Sequence, residues 1–162
     1  MRINLKYFLF ISIAILLIVV SSCSDNVVFE KTFPVNEKGW DYHNKIQCPL
    51  EISDKTQAYD LIINLRHREN YKYSNIFFFV DIISPSETFR DTIECVMANW
   101  KGKWLGDTEG DEIVHHFRYR SNIVFPEKGL YTIKLEQAMR DTSLQAITEI
   151  GIQLNKYQAK EK

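Results

Sequence analysis

The chain has 162 residues, of which 45% are hydrophobic and 13% aromatic, so it can bury a sizeable core and is not a disordered polypeptide. Its formal net charge is -1, a balance that excludes a general electrostatic attraction to nucleic acid or to an anionic membrane surface. We therefore expect one globular domain that does not bind nucleic acid.

The N-terminal segment has the features of a bacterial lipoprotein signal. Arg2 and Lys6 give a positive start, and the apolar run FLFISIAILLIVV that follows is too short to span a bilayer comfortably. The sequence VSSC, which ends at Cys23, resembles the lipobox, whose cysteine is acylated and becomes the first residue after cleavage. We predict a signal peptide over residues 1–22 and a lipid anchor on Cys23. The alternative is an uncleaved membrane anchor with an incidental cysteine.

The predicted mature chain has one domain. Residues 23–26 comprise the lipidated cysteine and a short polar tether, so the domain should lie close to its membrane. The folded domain is expected over residues 27–155, with a charged tail over residues 156–162. Without Arg2 and Lys6 the net charge of the mature chain becomes about -3.

Strand patterns dominate the domain. Residues 59–67 (YDLIINLRH) alternate between apolar and polar side chains, and residues 76–83 (IFFFVDII) are apolar on both faces except at Asp81, as expected at the centre of a core. Pro49 indicates that its strand is an edge strand or a bulged one. No helical repeat exceeds two turns, so about eight or nine short strands predict an all-β fold, a single antiparallel β-sandwich of jelly-roll type. The other strands are predicted at residues 27–33, 45–52, 92–98, 113–119, 122–125, 130–136 and 147–154.

Two cysteines remain besides Cys23. Cys48 and Cys95 would lie in a compartment where disulfides persist, but their separation in sequence does not reveal whether they can reach each other. The alternative is a pair of small buried hydrophobic residues.

The residues that often carry catalysis or bind metals do not form a recognisable site. His115 and His116 are neighbours in a predicted strand, so they point to opposite faces and cannot chelate one ion. His43 and His67 lie near turns and are expected at the surface. The acids of residues 107–112 lack the spacing of an EF-hand and favour a solvated loop. Because there is also no nucleophile elbow and no phosphate-binding glycine loop, we expect no enzyme, no cofactor and no metal.

The longest stretch without strand periodicity, residues 99–112, is the expected functional surface. Its aromatic and charged side chains suit contact with a protein, and Trp104 and Leu105 are expected to hold the loop against the sandwich. In the alternatives, the tryptophans pack in the core or form a platform with Tyr119 for a glycan. The candidate partner-binding residues are Trp100, Lys101, Lys103, Trp104 and Asp107.

Several short motifs spread over the domain resemble one known family. They are INLRH (63–67), YKYSNIFFFV (71–80), GKWLGD (102–107), VFPEKGLY (124–131), LEQAMR (135–140) and ITEIGIQL (147–154). Together with the lipobox, this set resembles the gliding motility lipoprotein H family of Bacteroidetes. The resemblance implies an outer-membrane lipoprotein that supports the gliding and type IX secretion machinery, and it carries over no catalytic residues.

The sequence thus predicts a lipid-anchored accessory protein of the cell envelope that acts by protein–protein interaction rather than by catalysis. Its expected partners are the membrane, through Cys23, and other envelope motility or secretion proteins. The alternative is a glycan-binding surface lipoprotein. Both hypotheses leave open whether the domain faces the periplasm or the cell surface.

Overall fold

The computed structural model describes residues 26–159, which contain no helix. In this part of the chain there is accordingly no helix that could cross a membrane. The predicted signal peptide (residues 1–22), Cys23 and the last three residues of the predicted tail lie outside the described residues.

The described chain folds into eight long strands and three strands of two or three residues. The long strands are β1 (Val27–Pro34), β3 (Ile46–Ile52), β4 (Ala58–Arg68), β5 (Asn75–Ile83), β6 (Thr88–Val96), β8 (Glu112–Val124), β9 (Gly129–Gln137) and β11 (Ile147–Lys156). The short ones are β2 (Trp40–Asp41), β7 (Asp107–Glu109) and β10 (Ser143–Leu144).

The long strands pair as nested antiparallel couples, as if one long hairpin had been folded over itself. Strand β1 pairs with β11, β3 with β9, β4 with β8, and β5 with β6. The result is a five-stranded sheet in the order β1-β11-β4-β8-β7 and a four-stranded sheet in the order β3-β9-β5-β6. This is the jelly-roll arrangement, and it confirms the predicted antiparallel β-sandwich.

The core lies between the two sheets and is centred where the sequence places it. Phe78 and Val80 of β5 are fully buried, as are Leu61 and Leu65 of β4 on the facing sheet. Strand β5 is an inner strand, hydrogen-bonded to β9 on one side and to β6 on the other. Pro49 lies in β3, an edge strand, so the missing backbone donor disrupts no interior ladder.

Two strands differ from the prediction by more than one or two residues at an end or in their continuity. Strand β6 begins at Thr88 rather than at residue 92, because residues 88–91 continue the ladder with residues 80–83 of β5. The segments predicted at 113–119 and 122–125 form one strand, β8, in which Asn122 adopts a positive φ of 55°. Asparagine tolerates this conformation better than most residues, so the strand continues through the irregularity.

Cys48 and Cys95 are both free and buried. Burial raises the pKa of Cys48 to about 11 and that of Cys95 to about 12. Both thiols therefore stay protonated and act as small hydrophobic members of the core rather than as a disulfide.

The two ends of the sandwich have different characters. The first end holds the start of β1 and the end of β11, because Val27 pairs with Asn155, and its three reversals are short (residues 53–57, 84–87 and 125–128). We call it the terminal end. The opposite end, the loop end, holds four long connections (residues 35–45, 69–74, 97–111 and 138–146). Strand β4 runs from the terminal end to the loop end over 11 residues, which separates the ends by roughly 33 Å.

Candidate functional site

All three tryptophans of the chain lie at the loop end. Trp40 is buried; its Nε1–H donates to the carbonyl of Asn44 at 2.8 Å, and its ring packs 5.8 Å from that of Phe78. Trp40 therefore closes the core at this end. Trp100, in contrast, is 88% exposed. Tryptophan is enriched among the side chains that dominate protein interfaces, so its exposure marks Trp100 as a candidate contact residue.

Trp100 is displayed on a small hairpin formed by residues 97–106, which we call the Trp100 hairpin. Leu105 N donates to Met97 O at 2.8 Å, and Asn99 N donates to Lys103 O at 2.9 Å, which joins the two arms. Gly102 N donates to Asn99 O at 2.9 Å and closes the turn. This stretch, predicted as a loop, is therefore a hydrogen-bonded structure.

The side chain of Asn99 fixes the turn from inside. Its Oδ1 accepts hydrogen bonds from the backbone N–H groups of Lys101 at 2.9 Å and of Lys103 at 3.0 Å. Gly102 has a φ of +77°, which a residue with a Cβ resists. The turn thus has a defined shape before any partner arrives, which lowers the entropy cost of binding.

The base of the Trp100 hairpin is attached to the sandwich on two sides. The backbone N–H groups of Met97 and Ala98 both donate to Ser74 O, at 2.8 and 3.0 Å, in the 69–74 connection. On the other side, Gly106 lies so close to β8 that a Cβ would collide with the carbonyl oxygen of Val114. The hairpin is therefore a fixed part of the loop end.

Trp104 packs beneath the hairpin, as the sequence suggests. It is half-buried, with its ring edge-on to His67 at a centroid distance of 4.6 Å and tilted towards Tyr71 at 6.4 Å. Leu105 was expected to hold the loop against the sandwich together with Trp104, but this prediction is wrong because Leu105 is 58% exposed. Neighbouring residues of an extended chain point to opposite sides, so Leu105 faces outward when Trp104 faces inward.

The floor under Trp104 contains two buried histidines, and here a second prediction fails. His67 was expected at the surface, yet it is fully buried beside His115. The pattern of β4 contains the missed signal, because His67 shares the inward face of Leu61 and Leu65 at spacings of two residues. The prediction that His115 and His116 point to opposite faces of one strand is confirmed, because His115 is buried and His116 is exposed in β8.

The predicted contact residues occupy three positions. Trp100, Lys101 and Lys103 share the exposed hairpin, and Lys101 Nζ lies 4.8 Å from the centroid of the Trp100 ring. Trp104 lies beneath them. Asp107 is exposed in β7, beyond the hairpin, where it pairs with Val114.

The acids near β7 support the fold. Arg66 of β4 forms ion pairs with Glu109 at 2.9 Å and with Glu112 at 3.6 Å. These two carboxylates, one in β7 and one at the start of β8, are therefore engaged with a cation of β4. Residues 26–159 contain no group of three or more side chains suited to hold a metal ion.

A recess of about 490 Å³ adjoins the hairpin through the 69–74 connection and was not expected from sequence. Its walls include Tyr73, Phe77 and Met139. Tyr73 O–H donates to Asp141 Oδ2 at 2.6 Å, and this bond holds the pKa of Asp141 below its usual value. Ser74 accepts the hydrogen bonds of the hairpin and the preceding residue, Tyr73, lines the recess, so the 69–74 connection contributes to both features.

The aromatic platform of the glycan-binding alternative is not assembled. Trp100 is exposed while Trp104 is half-buried against His67. Tyr119 lies within β8 and donates its hydroxyl to Asp91 at 3.2 Å. The three rings therefore do not present one planar surface to solvent.

Comparisons with known proteins agree with the resemblance carried by the motifs. The model of a family described as GldH lipoprotein matches residues 27–154. A protein of Christiangramia forsetii named gliding motility lipoprotein GldH homolog is 33% identical over 164 residues, which cover 96% of this chain and 98% of that protein. The gliding motility lipoprotein GldH of Flavobacterium johnsoniae is 32% identical over 145 residues, which cover 85% of this chain and 89% of that protein. The chain belongs to the GldH lipoprotein family.

Proposed function

We propose that this protein is an outer-membrane lipoprotein, anchored through Cys23, that supports envelope motility or secretion machinery by binding other envelope proteins and not by catalysis. Membership of a lipoprotein family and relatives named for gliding motility support the setting. The lipobox supports the anchor position.

The observation that carries the proposal is Trp100, which is 88% exposed on a rigid hairpin at the loop end. Protein interfaces concentrate their binding energy in a few aromatic or Arg side chains that enter a pocket of the partner. A preorganised hairpin presents such a side chain without first having to order a loop. Trp100 is accordingly the proposed central contact.

The surroundings of Trp100 indicate what the partner surface should look like. Lys101 and Lys103 flank the indole and are both exposed, and Lys72 of the adjoining connection is exposed as well. A complementary partner would offer an apolar pocket for the indole with carboxylates at its rim. Charge pairs at such a rim act on the association rate and are weakened by salt.

The glycan-binding alternative has less support. It required two exposed indoles beside a groove, and only one of the two tryptophans in this connection is exposed. A single indole with two lysines fits a protein pocket with an acidic rim better than it fits a neutral sugar.

Site-specific photo-crosslinking in cells tests the proposal. A photoreactive phenylalanine analogue replaces Trp100 in one strain and Lys55, an exposed residue of a terminal-end reversal, in a control strain. We expect position 100 to yield a defined adduct with an envelope protein, identified by mass spectrometry, that position 55 does not yield. Identical adducts from both positions, or no adduct from position 100, would contradict the proposal.

A further inference from the structure

We infer that the terminal end of the sandwich rests on the lipid bilayer that holds the anchor. Phe89, Val124 and the groove between them contact the bilayer where the headgroups meet the acyl chains. The inference rests on the lipid anchor at Cys23 in the proposed function. It adds a second, non-covalent membrane contact made by the folded domain itself.

The first argument is the length of chain between the anchor and the fold. Asn26 is three residues after Cys23, so the two are separated by at most about 11 Å even when the chain is fully extended. Asn26 is itself fixed to the C-terminal segment, since Lys156 N donates to its carbonyl at 2.7 Å and Gln158 Nε2 to its side chain at 2.6 Å. An acylated Cys23 therefore holds the terminal end beside the headgroups.

The second argument is the apolar character of this end. Phe89 and Val124 are 46% and 55% exposed and border a groove of about 310 Å³ between the edges of the two sheets. Ile123, Phe125 and Pro126 form further parts of its wall. The reversals at this end are too short to cover the groove. Val27, Val28 and Leu130 add exposed apolar side chains around the same end.

The third argument is the position of Arg120 at the groove. Its guanidinium lies 4.5 Å from the centroid of the Phe89 ring and 3.4 Å from Asp91 Oδ2. An arginine with an apolar stem beside an aromatic ring suits the boundary between acyl chains and headgroups, where the ring is buried and the charge stays hydrated.

The charges of the reversals indicate which force dominates the contact. Lys55 and Lys128 are offset by Asp54, Glu87 and Glu127 in the same three segments. The contact should therefore depend on apolar insertion rather than on anionic lipid, and it should be insensitive to salt.

The contact would also set the orientation of the domain. With the terminal end on the bilayer, the Trp100 hairpin at the opposite end would stand roughly 30 Å from the membrane, given the length of β4.

Quenching of tryptophan fluorescence by brominated lipid tests this contact. The full-length, lipidated protein is reconstituted into phosphatidylcholine vesicles whose acyl chains carry bromine, and Phe89→Trp is compared with Val96→Trp. Both positions lie in β6, at opposite ends of the sandwich, and Val96 is 54% exposed. The three native tryptophans lie at the loop end, and their emission is measured in the wild-type protein and subtracted from that of each variant.

We expect the added emission of Phe89→Trp to fall at least twofold in brominated vesicles, at low and high salt alike, while that of Val96→Trp stays unchanged. Val124→Trp provides a second probe if Phe89→Trp does not fold. Acyl mass on Cys23 and flotation with vesicles are measured on the same samples. Acylated, floating protein in which both terminal-end probes are quenched no more than Val96→Trp overturns the contact and leaves the anchor standing. Absence of acyl mass overturns both.

Discussion

The Nε2 atoms of His67 and His115 lie 3.1 Å apart in the buried floor beneath the Trp100 hairpin. His67 Nδ1 is 2.8 Å from the carbonyl oxygen of Arg68, which can only accept, so Nδ1 carries the proton. In a neutral imidazole the other nitrogen is then an acceptor, and His115 Nε2–H donates to it. The hydrogen bond between the two rings therefore requires a neutral His67, whose Nε2 accepts the proton of His115 Nε2.

The surroundings keep the two rings neutral. Burial, followed by the neighbouring His67 and His116, lowers the pKa of His115 to about 4. Burial also lowers the pKa of His67, although the Arg68 carbonyl and Glu112 favour its charged form. Protonating His67 would place two N–H groups against each other.

The pair therefore predicts a loss of stability in mild acid. Histidines of the unfolded chain titrate near pH 6.5, so between about pH 6.5 and 4 the unfolded chain binds more protons than the folded one. The free energy of unfolding therefore decreases as the pH is lowered through this range. For His115 the total loss is roughly 3 kcal/mol. Urea titrations at steps between pH 7 and 4 measure it.

Two variants identify the source of this acid sensitivity. His115→Gln keeps a donor towards His67 but removes one titrating ring, so its stability should depend less on pH. His43→Gln, at the exposed surface, should retain the wild-type dependence. A wild-type free energy of unfolding that stays constant from pH 6.5 to 4 would refute this account of the pair.

A second prediction concerns the turn that displays Trp100. Asn99→Ala removes the acceptor for the N–H groups of Lys101 and Lys103, and each lost bond is worth about 1 kcal/mol. We expect faster amide exchange in residues 97–106 with little change in melting temperature, since the turn is local. Asn99→Asp keeps the acceptor and should exchange like the wild type. Equal exchange in Asn99→Ala and the wild type would show that the side chain does not hold the turn.

A third prediction concerns the core. Phe78 is fully buried and packs on Trp40, so Phe78→Ala should lower the free energy of unfolding by about 3–5 kcal/mol. Phe77 of the same strand is half-buried on the outer face, and Phe77→Ala should cost clearly less. Chemical denaturation measures both. A loss below about 1 kcal/mol for Phe78→Ala would show that β5 is not the centre of the core.

The strands could be predicted from sequence better than their pairing. The apolar residues of β5 and the alternation in β4 identify both strands and their buried faces. Nothing in such a pattern names the partner strand, so the pairing of β1 with β11, at opposite ends of the chain, emerges only in the fold. The early start of β6 was missed for the same reason. Residues 88–91 (TFRD) have no clear strand pattern of their own and form a strand by pairing with β5.

The proposed interaction surface was predictable in part. Asn99 and Gly102 are the residues favoured at the first and fourth positions of a common turn, so the sequence contained the signal for the hairpin tip. Leu105 was misplaced because the side to which each residue of the Trp100 hairpin points depends on how its two arms pair. The recess could not be predicted from sequence, since Tyr73 and Met139 belong to connections that are distant in sequence.

A fourth prediction concerns the anchor, which rests on sequence alone. Cys23→Ser should leave the protein uncleaved or without acyl mass, because the lipobox cysteine supplies the thiol that is acylated. Intact-mass spectrometry of the membrane fraction makes the comparison. Wild-type protein that also lacks acyl mass would overturn the assignment of Cys23.

The central claim is that the Trp100 hairpin binds a partner while Trp104 holds the hairpin in place. Trp100→Ala and Trp104→Ala, made separately, are compared by thermal unfolding and by chemical cross-linking of cells, which measures how much of the envelope partner is recovered with each variant. Trp100→Ala should change stability by less than about 0.5 kcal/mol, as expected for an exposed side chain, and should weaken partner recovery. Trp104→Ala should destabilise the domain by roughly 2–3 kcal/mol because its half-buried ring packs on His67. A Trp100→Ala protein that melts several degrees lower, or that recovers its partner fully, would contradict the account.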